Sequence, residues 1–136
     1  MFKTVLFPIN KSQETLAATE VVMDIVKTYG SHLMLLSVLE NEVTEEDGSR
    51  DPMTSHEQIA ELLNKVQSGF SKNGIEAQIL ERQGNPAFTI CDVADEMDVK
   101  LIIMGSRGVG LTEEGPKDSI TNQVINLSPC PVLIIP

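Results

Sequence analysis

The sequence predicts an α/β fold, a single open five-stranded parallel sheet with helices on both faces. Three observations carry that expectation. Five short apolar runs alternate with four segments whose apolar residues recur at helical spacing, the pattern of strand–helix–strand units joined by right-handed crossovers. Two of the runs, LMLLSVL and LIIM, are nearly continuous, as strands covered on both faces must be. The chain has 136 residues, 41% apolar and 22% charged, which suits one globular domain spanning residues 1–136.

Taken in order, the first strand is Val5 to Ile9, followed by Asn10-Lys11-Ser12. Glu14 to Tyr29 then sets Leu16, Val22, Met23 and Val26 on one helical face and stops at Gly30, a residue that readily takes the left-handed conformation closing a helix. Leu33 to Leu39 is the second strand. Asn41 to Pro52 is acidic and turn-rich and reads as an exposed loop. Thr54 and Ser55, each with Glu57 or Gln58 three residues on, give two overlapping capping boxes. Ile59, Leu62, Leu63, Val66 and Phe70 follow at helical spacing. Ile75 to Arg82 alternates apolar and polar, which suits a strand at the sheet edge. Asn85-Pro86 opens the third helix, with Asn as cap and Pro at the first helical position, and Ile90, Ala94 and Met97 carry its inner face. Leu101 to Met104 is the fourth strand, Ile120, Val124 and Leu127 the inner face of the last helix, and Val132 to Ile135 the fifth strand. Aromatics are only 4% of the chain and Trp is absent, so Val, Ile, Leu and Met must fill the interior. No internal repeat, linker or low-complexity segment interrupts the alternation.

The formal net charge of −10, from 10 basic and 20 acidic residues, argues against nucleic acid, whose phosphates are neutralised by Lys and Arg. It equally disfavours an anionic membrane surface. No run has the length of a spanning helix and none reads as a signal peptide, so a cytoplasmic protein is expected. Cys91 and Cys130 fit neither a disulfide framework nor a paired metal motif. Cys91 falls in a helix pattern and Cys130 in a Pro-Cys-Pro turn, where it reads as a structural thiol. His32 and His56 have no ligand partner nearby in sequence, so no metal site is expected.

In an open parallel sheet, ligands collect at the carboxyl ends of the strands, where the strand order reverses. If strand one is central, with strands two and three on one side and four and five on the other (order 3-2-1-4-5), the reversal falls between strands one and four. The crevice is then lined by Pro8, Ile9 and Asn10, and by Gly105 to Gly110. The cluster Gly105-Ser106-Arg107-Gly108-Val109-Gly110 follows a buried strand directly. Glycines let backbone amides approach an anion, and the next helix offers free amides at its amino end. A tight turn that needs positive φ angles is the competing reading. The cluster is not a Walker loop, since no Gly-Lys-Ser/Thr follows, nor the dinucleotide fingerprint, which belongs after the first strand.

With TVLFPIN at the start, Gly84-Asn85-Pro86 before helix three, LIIMGSRG at strand four and SPCPVLIIP at the end, after a looser DSITNQVINL, the chain resembles the universal stress protein family over essentially its whole length. The resemblance implies a flavodoxin-like fold of the adenine-nucleotide alpha-hydrolase type. It also implies a nucleotide-binding pattern that reads here as Gly105, two residues, Gly108, nine residues, then glycine followed by Ser or Thr. The last glycine is Asp118 in this chain, followed by Ser119 as the pattern asks. The same resemblance places an adenine near Val38 and an acidic residue where Asn10 stands. The binding residues it implies are Pro8, Asn10, Val38, Met104, Gly105, Arg107, Gly108, Asp118, Ser119 and Ile120.

The chain departs from that pattern twice. Asn10 is a mild departure, because it still donates and accepts hydrogen bonds. Asp118 is a serious one. Asp is among the best helix caps, and a carboxylate capping the last helix occupies the amides a phosphate would use. Glu113 and Glu114 in the same loop add repulsion, about 1 kcal/mol for like charges ~4 Å apart even in water, unless they point into solvent. Arg107 and Lys117 are the opposing cations of the loop.

The leading reading is a stress-response regulatory or interaction protein whose nucleotide crevice is degenerate and binds ATP weakly or not at all. The alternative is a genuine ATP- or AMP-binding member in which Mg²⁺ bridges Asp118 and phosphate oxygens, as Mg²⁺ commonly does. An enzyme is not expected. No His falls near the crevice and no nucleophile–base pair is visible, although slow nucleotide hydrolysis stays open. A homodimer through Val132-Leu133-Ile134-Ile135 is expected, since an apolar sheet edge needs a cover and the resemblance points the same way. Pro131 and Pro136 could instead blunt the edge of a monomer.

Overall fold

The computed structural model describes residues 1–10, 13–39, 52–105 and 120–136. Strands β1 (Thr4–Pro8), β2 (His32–Leu39), β3 (Ala77–Gln83), β4 (Leu101–Gly105) and β5 (Val132–Ile135) alternate with helices α1 (Gln13–Tyr29), α2 (Pro52–Lys72), α3 (Pro86–Glu96) and α4 (Ile120–Leu127). The strands form one sheet in the order β3-β2-β1-β4-β5, and every pairing is parallel. This is the expected fold, with β1 at the centre.

Because successive side chains of a strand point to opposite faces, each central strand feeds two cores. Val5, Phe7, Leu33, Leu35, Leu101 and Ile103 face α1 and α2, where they meet Ala18, Val22, Val26, Leu63, Val66 and Phe70. The intervening Leu6, Met34, Leu36, Ile102 and Met104 face α3 and α4, meeting Ala87, Ile90, Val93, Ala94 and Val124. On the first face Phe7 and Phe70 stand edge to face, ring centroids 6.3 Å apart at 89°, an arrangement aromatic quadrupoles favour.

Helix ends follow local chemistry. Gly30 has φ +64°, and the Ser31 amide donates to the Val26 carbonyl at 3.1 Å, which closes α1 as a Schellman turn. Asn85 caps α3 as expected, its side chain accepting from the Phe88 amide at 3.0 Å with Pro86 next in line. Gly84 ahead of it has φ +147°, and a Cβ there would meet Thr89 Oγ1 at 3.0 Å, so the position calls for glycine.

Two expectations need correction. Helix α2 starts at Pro52, so Thr54 and Ser55 lie inside its first turn and not ahead of it; proline, with its preset φ, is the residue that opens the helix. Leu127 does not line the inner face of α4. The helix has only eight residues, and its last turn carries Ile125 and Leu127 to solvent, 50% and 46% exposed, while Thr121 and Val124 are buried. The expected loop from Asn41, the side chain of Leu16 and the segment 106–119 lie outside the described residues. Beyond these points the strands and helices differ from their expected limits by a few residues at their ends, the usual uncertainty of a boundary.

Candidate functional site

The two halves of the sheet are laddered differently at their carboxyl ends. Strand β1 stays in register with β2 up to Pro8 opposite Leu36, and the next amide, Ile9, still donates to the Leu36 carbonyl at 2.8 Å. Strand β4 stays in register with β5 up to Gly105 opposite Ile135. Between β1 and β4, however, the ladder runs only through Val5–Leu101 and Leu6–Ile102. The upper ends of the two central strands are thus tied outward to their neighbours and not to each other. This is the point where the strand order reverses, the place where parallel sheets open a ligand crevice.

The structure sets the following expected residues around that opening. Pro8 and Asn10 stand half-buried at the end of β1. Val38, near the end of β2, is half-buried against the α3–α4 core. Met104 is buried and Gly105 ends β4, while Ile120 opens α4 and is half-buried. Arg107, Gly108, Asp118 and Ser119, with Glu113, Glu114 and Lys117, lie outside the described residues.

Two polar residues of this region went unremarked in the sequence. Thr121, in the first turn of α4, is 8% exposed, and its hydroxyl donates to the Gly105 carbonyl at 3.4 Å. It thereby ties the last helix to the end of β4, across the loop where a phosphate cradle is expected. The signal was its spacing three residues before Val124, on the inner face. Ser37, 5% exposed, lies one residue past the Pro8–Leu36 pair on β2. It is the polar residue in an otherwise apolar run, which marks it. On the β2–β3 side, the Gly84 amide donates to the Leu39 carbonyl at 2.9 Å and draws the start of α3 toward the end of β2.

A family model described as the universal stress protein family matches residues 1–136. The chain belongs to the universal stress protein family. Universal stress protein Sll1654 of Synechocystis sp. is 51% identical over 136 residues, covering all of this chain and 87% of the relative. Among solved structures, the protein MJ0577 superimposes with TM-score 0.86 at 23% identity, covering 99% of this chain and 96% of that one. The universal stress protein from Archaeoglobus fulgidus in complex with dAMP gives TM-score 0.78 at 21% identity, with complete coverage of both chains. At such identities the structural matches establish the fold.

The histidines of this universal stress protein stand away from the crevice, against the outer strand. His32 Nε2 lies 3.0 Å from Gln78 Oε1 and His56 Nδ1 lies 2.9 Å from Glu81 Oε2, both partners being on β3. Among the described residues no cluster of three or more His, Cys, Asp or Glu is placed to hold a metal ion. No described helix is long and apolar enough to cross a membrane.

Proposed function

We propose that this universal stress protein acts as a stress-response regulator or interaction partner, and that its crevice accepts adenine nucleotide weakly or not at all. The observation that carries the reading is the parting of β1 from β4 beyond Leu6 and Ile102, taken together with Asp118 in the sequence between β4 and α4. On this reading a nucleotide would meet Pro8, Asn10, Val38, Met104, Gly105 and Ile120 around the opening, with the adenine near Val38 as the family resemblance implies. Asp118 supplies a negative charge where a phosphate would sit. A tethered carboxylate loses no translational freedom on docking to the amides of α4, whereas a free nucleotide does, and the amides of a helix start favour an anion by only ~0.3–1 kcal/mol at exposed sites.

A specific observation favours the alternative, in which the chain binds ATP or AMP with Mg²⁺ bridging Asp118 and the phosphates. One protein of this fold is described in complex with dAMP, and Asn10 stands half-buried just past the end of β1. Mass spectrometry of small molecules released from denatured, freshly purified protein separates the readings. An empty protein supports the degenerate crevice; stoichiometric ATP or AMP overturns it in favour of the alternative. On either reading the role we propose is regulatory, and slow nucleotide hydrolysis is the one reaction it leaves open.

The partner we propose is a second copy. All four residues of β5 are half-buried along one edge of the sheet, and α4, which leads into that edge, leaves Ile125 and Leu127 exposed. Pairing β5 with its counterpart across a two-fold axis covers both edges at once. The protein is proposed to work in the cytoplasm.

A further inference from the structure

The chain's two cysteines belong to different elements but to the same core on the α3–α4 face, Cys91 as a buried member and Cys130 packed against it. Cys91, on α3, is 8% exposed, and its Sγ lies 4.0 Å from the Val124 carbonyl oxygen. The same carbonyl accepts from the Ser128 amide at 2.8 Å. The Ser128 Oγ in turn accepts from the Cys130 amide at 3.1 Å and lies 3.7 Å from Cys130 Sγ. One backbone turn at the end of α4 therefore bridges the two sulfurs. The thiols also sense each other: burial, then Asp92, then Cys130 push the Cys91 thiol above its ordinary pKa.

Cys130 opens on its other side onto a cavity of about 280 Å³, lined also by Asp95, Asp98, Lys100, Pro129 and Pro131. This cavity lies where the chain enters β4 and β5, at the opposite end of those strands from the nucleotide crevice. We propose that Cys91 and Cys130 form a reversible intramolecular disulfide by exchange with a small-molecule disulfide that enters this cavity and is attacked there by Cys130.

The step balances through two exchanges. The Cys130 thiolate attacks one sulfur of the small disulfide and expels the other as a thiolate, which leaves a mixed disulfide on Cys130. Cys91 then loses its proton and attacks the Cys130 sulfur, expelling the second small thiolate. The net change is one protein disulfide formed and two small thiols released. Cys130 reacts first because it is the more open thiol and because the Ser128 hydroxyl, the Ile102 amide and the Lys100 ammonium all favour its thiolate. Burial outweighs these and raises its pKa, so exchange is slow near neutrality and quickens as pH rises toward the thiol range. Closure requires Cα atoms within about 7 Å of each other. Cys130 lies in a bend outside any helix or strand, so the approach must come from that turn and the end of α4. The bond would staple α3 to the turn that leads into β5.

The test is exchange of the reduced full-length protein with oxidised glutathione, followed by proteolysis without reductant and mass spectrometry. The expected product is a peptide pair joined through Cys91 and Cys130 within one chain, with no glutathione retained, formed faster at mildly alkaline pH and reversed by dithiothreitol. Cys91→Ser should stop the reaction at a Cys130–glutathione adduct, and Cys130→Ser should leave Cys91 unmodified in the folded protein. A wild-type adduct that persists on Cys130 while Cys91 stays free overturns the proposal. So does a cross-link between chains in place of the internal one, or exchange that occurs only after denaturation.

Discussion

The two faces of the sheet are built from the same alternating strands yet carry different burdens. The face toward α1 and α2 is closed by long helices and by Phe7 and Phe70, both fully buried. The face toward α3 and α4 is covered by shorter helices and holds Met104, Thr121, Ser128 and both cysteines. It also leaves Phe88, Ile125 and Leu127 exposed. The contrast points to a division of labour: the first face has the larger buried core and both fully buried aromatic rings, and the second carries most of the groups that the proposed crevice and dimer would use. The proposed crevice lies beside this second face, because Met104 and α4 belong to it.

That division can be broken by mutating each face separately. The largest effect is expected on the first. Phe70→Ala removes a fully buried ring from its edge-to-face partner and should cost about 3–5 kcal/mol, read as a lower denaturation midpoint. The proposed dimer and any nucleotide response should survive at temperatures where the variant stays folded. If nucleotide binding fell with stability restored by cooling, the faces would not be separable.

On the second face the effect should fall mainly on assembly. Ile134→Lys puts a charge on β5, where Ile134 also packs against the α3–α4 core, so the variant should lose some stability and, while still folded by circular dichroism, sediment as a monomer in place of the proposed dimer. An unchanged sedimentation mass in the folded variant would remove β5 from the interface. The smallest effect belongs to a cap. Asn85→Ala deletes the acceptor for the Phe88 amide and should cost about 1 kcal/mol, which sharpens the comparison by showing how little one helix start adds beside a core ring. A loss as large as that of Phe70→Ala would mean that α3 holds the fold as firmly as α2.

Much of this architecture was legible before the structure. The parallel sheet followed from alternating apolar runs, and the order 3-2-1-4-5 from placing strand one at the centre, as the family resemblance implied; the Asn85 cap and the Gly30 stop followed from local chemistry, because each is decided by residues close in sequence. What could not be read depends on distance. The end of the β1–β4 ladder at Leu6 and Ile102 is set by how four strands twist together. The approach of Cys91 to the Ser128–Cys130 turn arises only when α3 and α4 pack side by side. Leu127 was misplaced because helical spacing says which residues share a face, not where the helix ends against the sheet. Thr121 went unnoticed because its role is a contact with Gly105 across a long loop. For the crevice, the family pattern in the glycine-rich segment singled out Asp118, and the structure supplied the parting of β1 from β4.

The central claim is that Asp118 stands in the anion position and keeps phosphate out. Isothermal titration of ATP with Mg²⁺ into the unaltered protein and into Asp118→Gly tests it most directly. The account predicts weak or undetectable binding to the unaltered chain and a gain of at least about tenfold in affinity for Asp118→Gly, or 1.4 kcal/mol. Micromolar or tighter binding by the unaltered protein, weakened by Asp118→Gly, would make Asp118 a ligand and contradict the account.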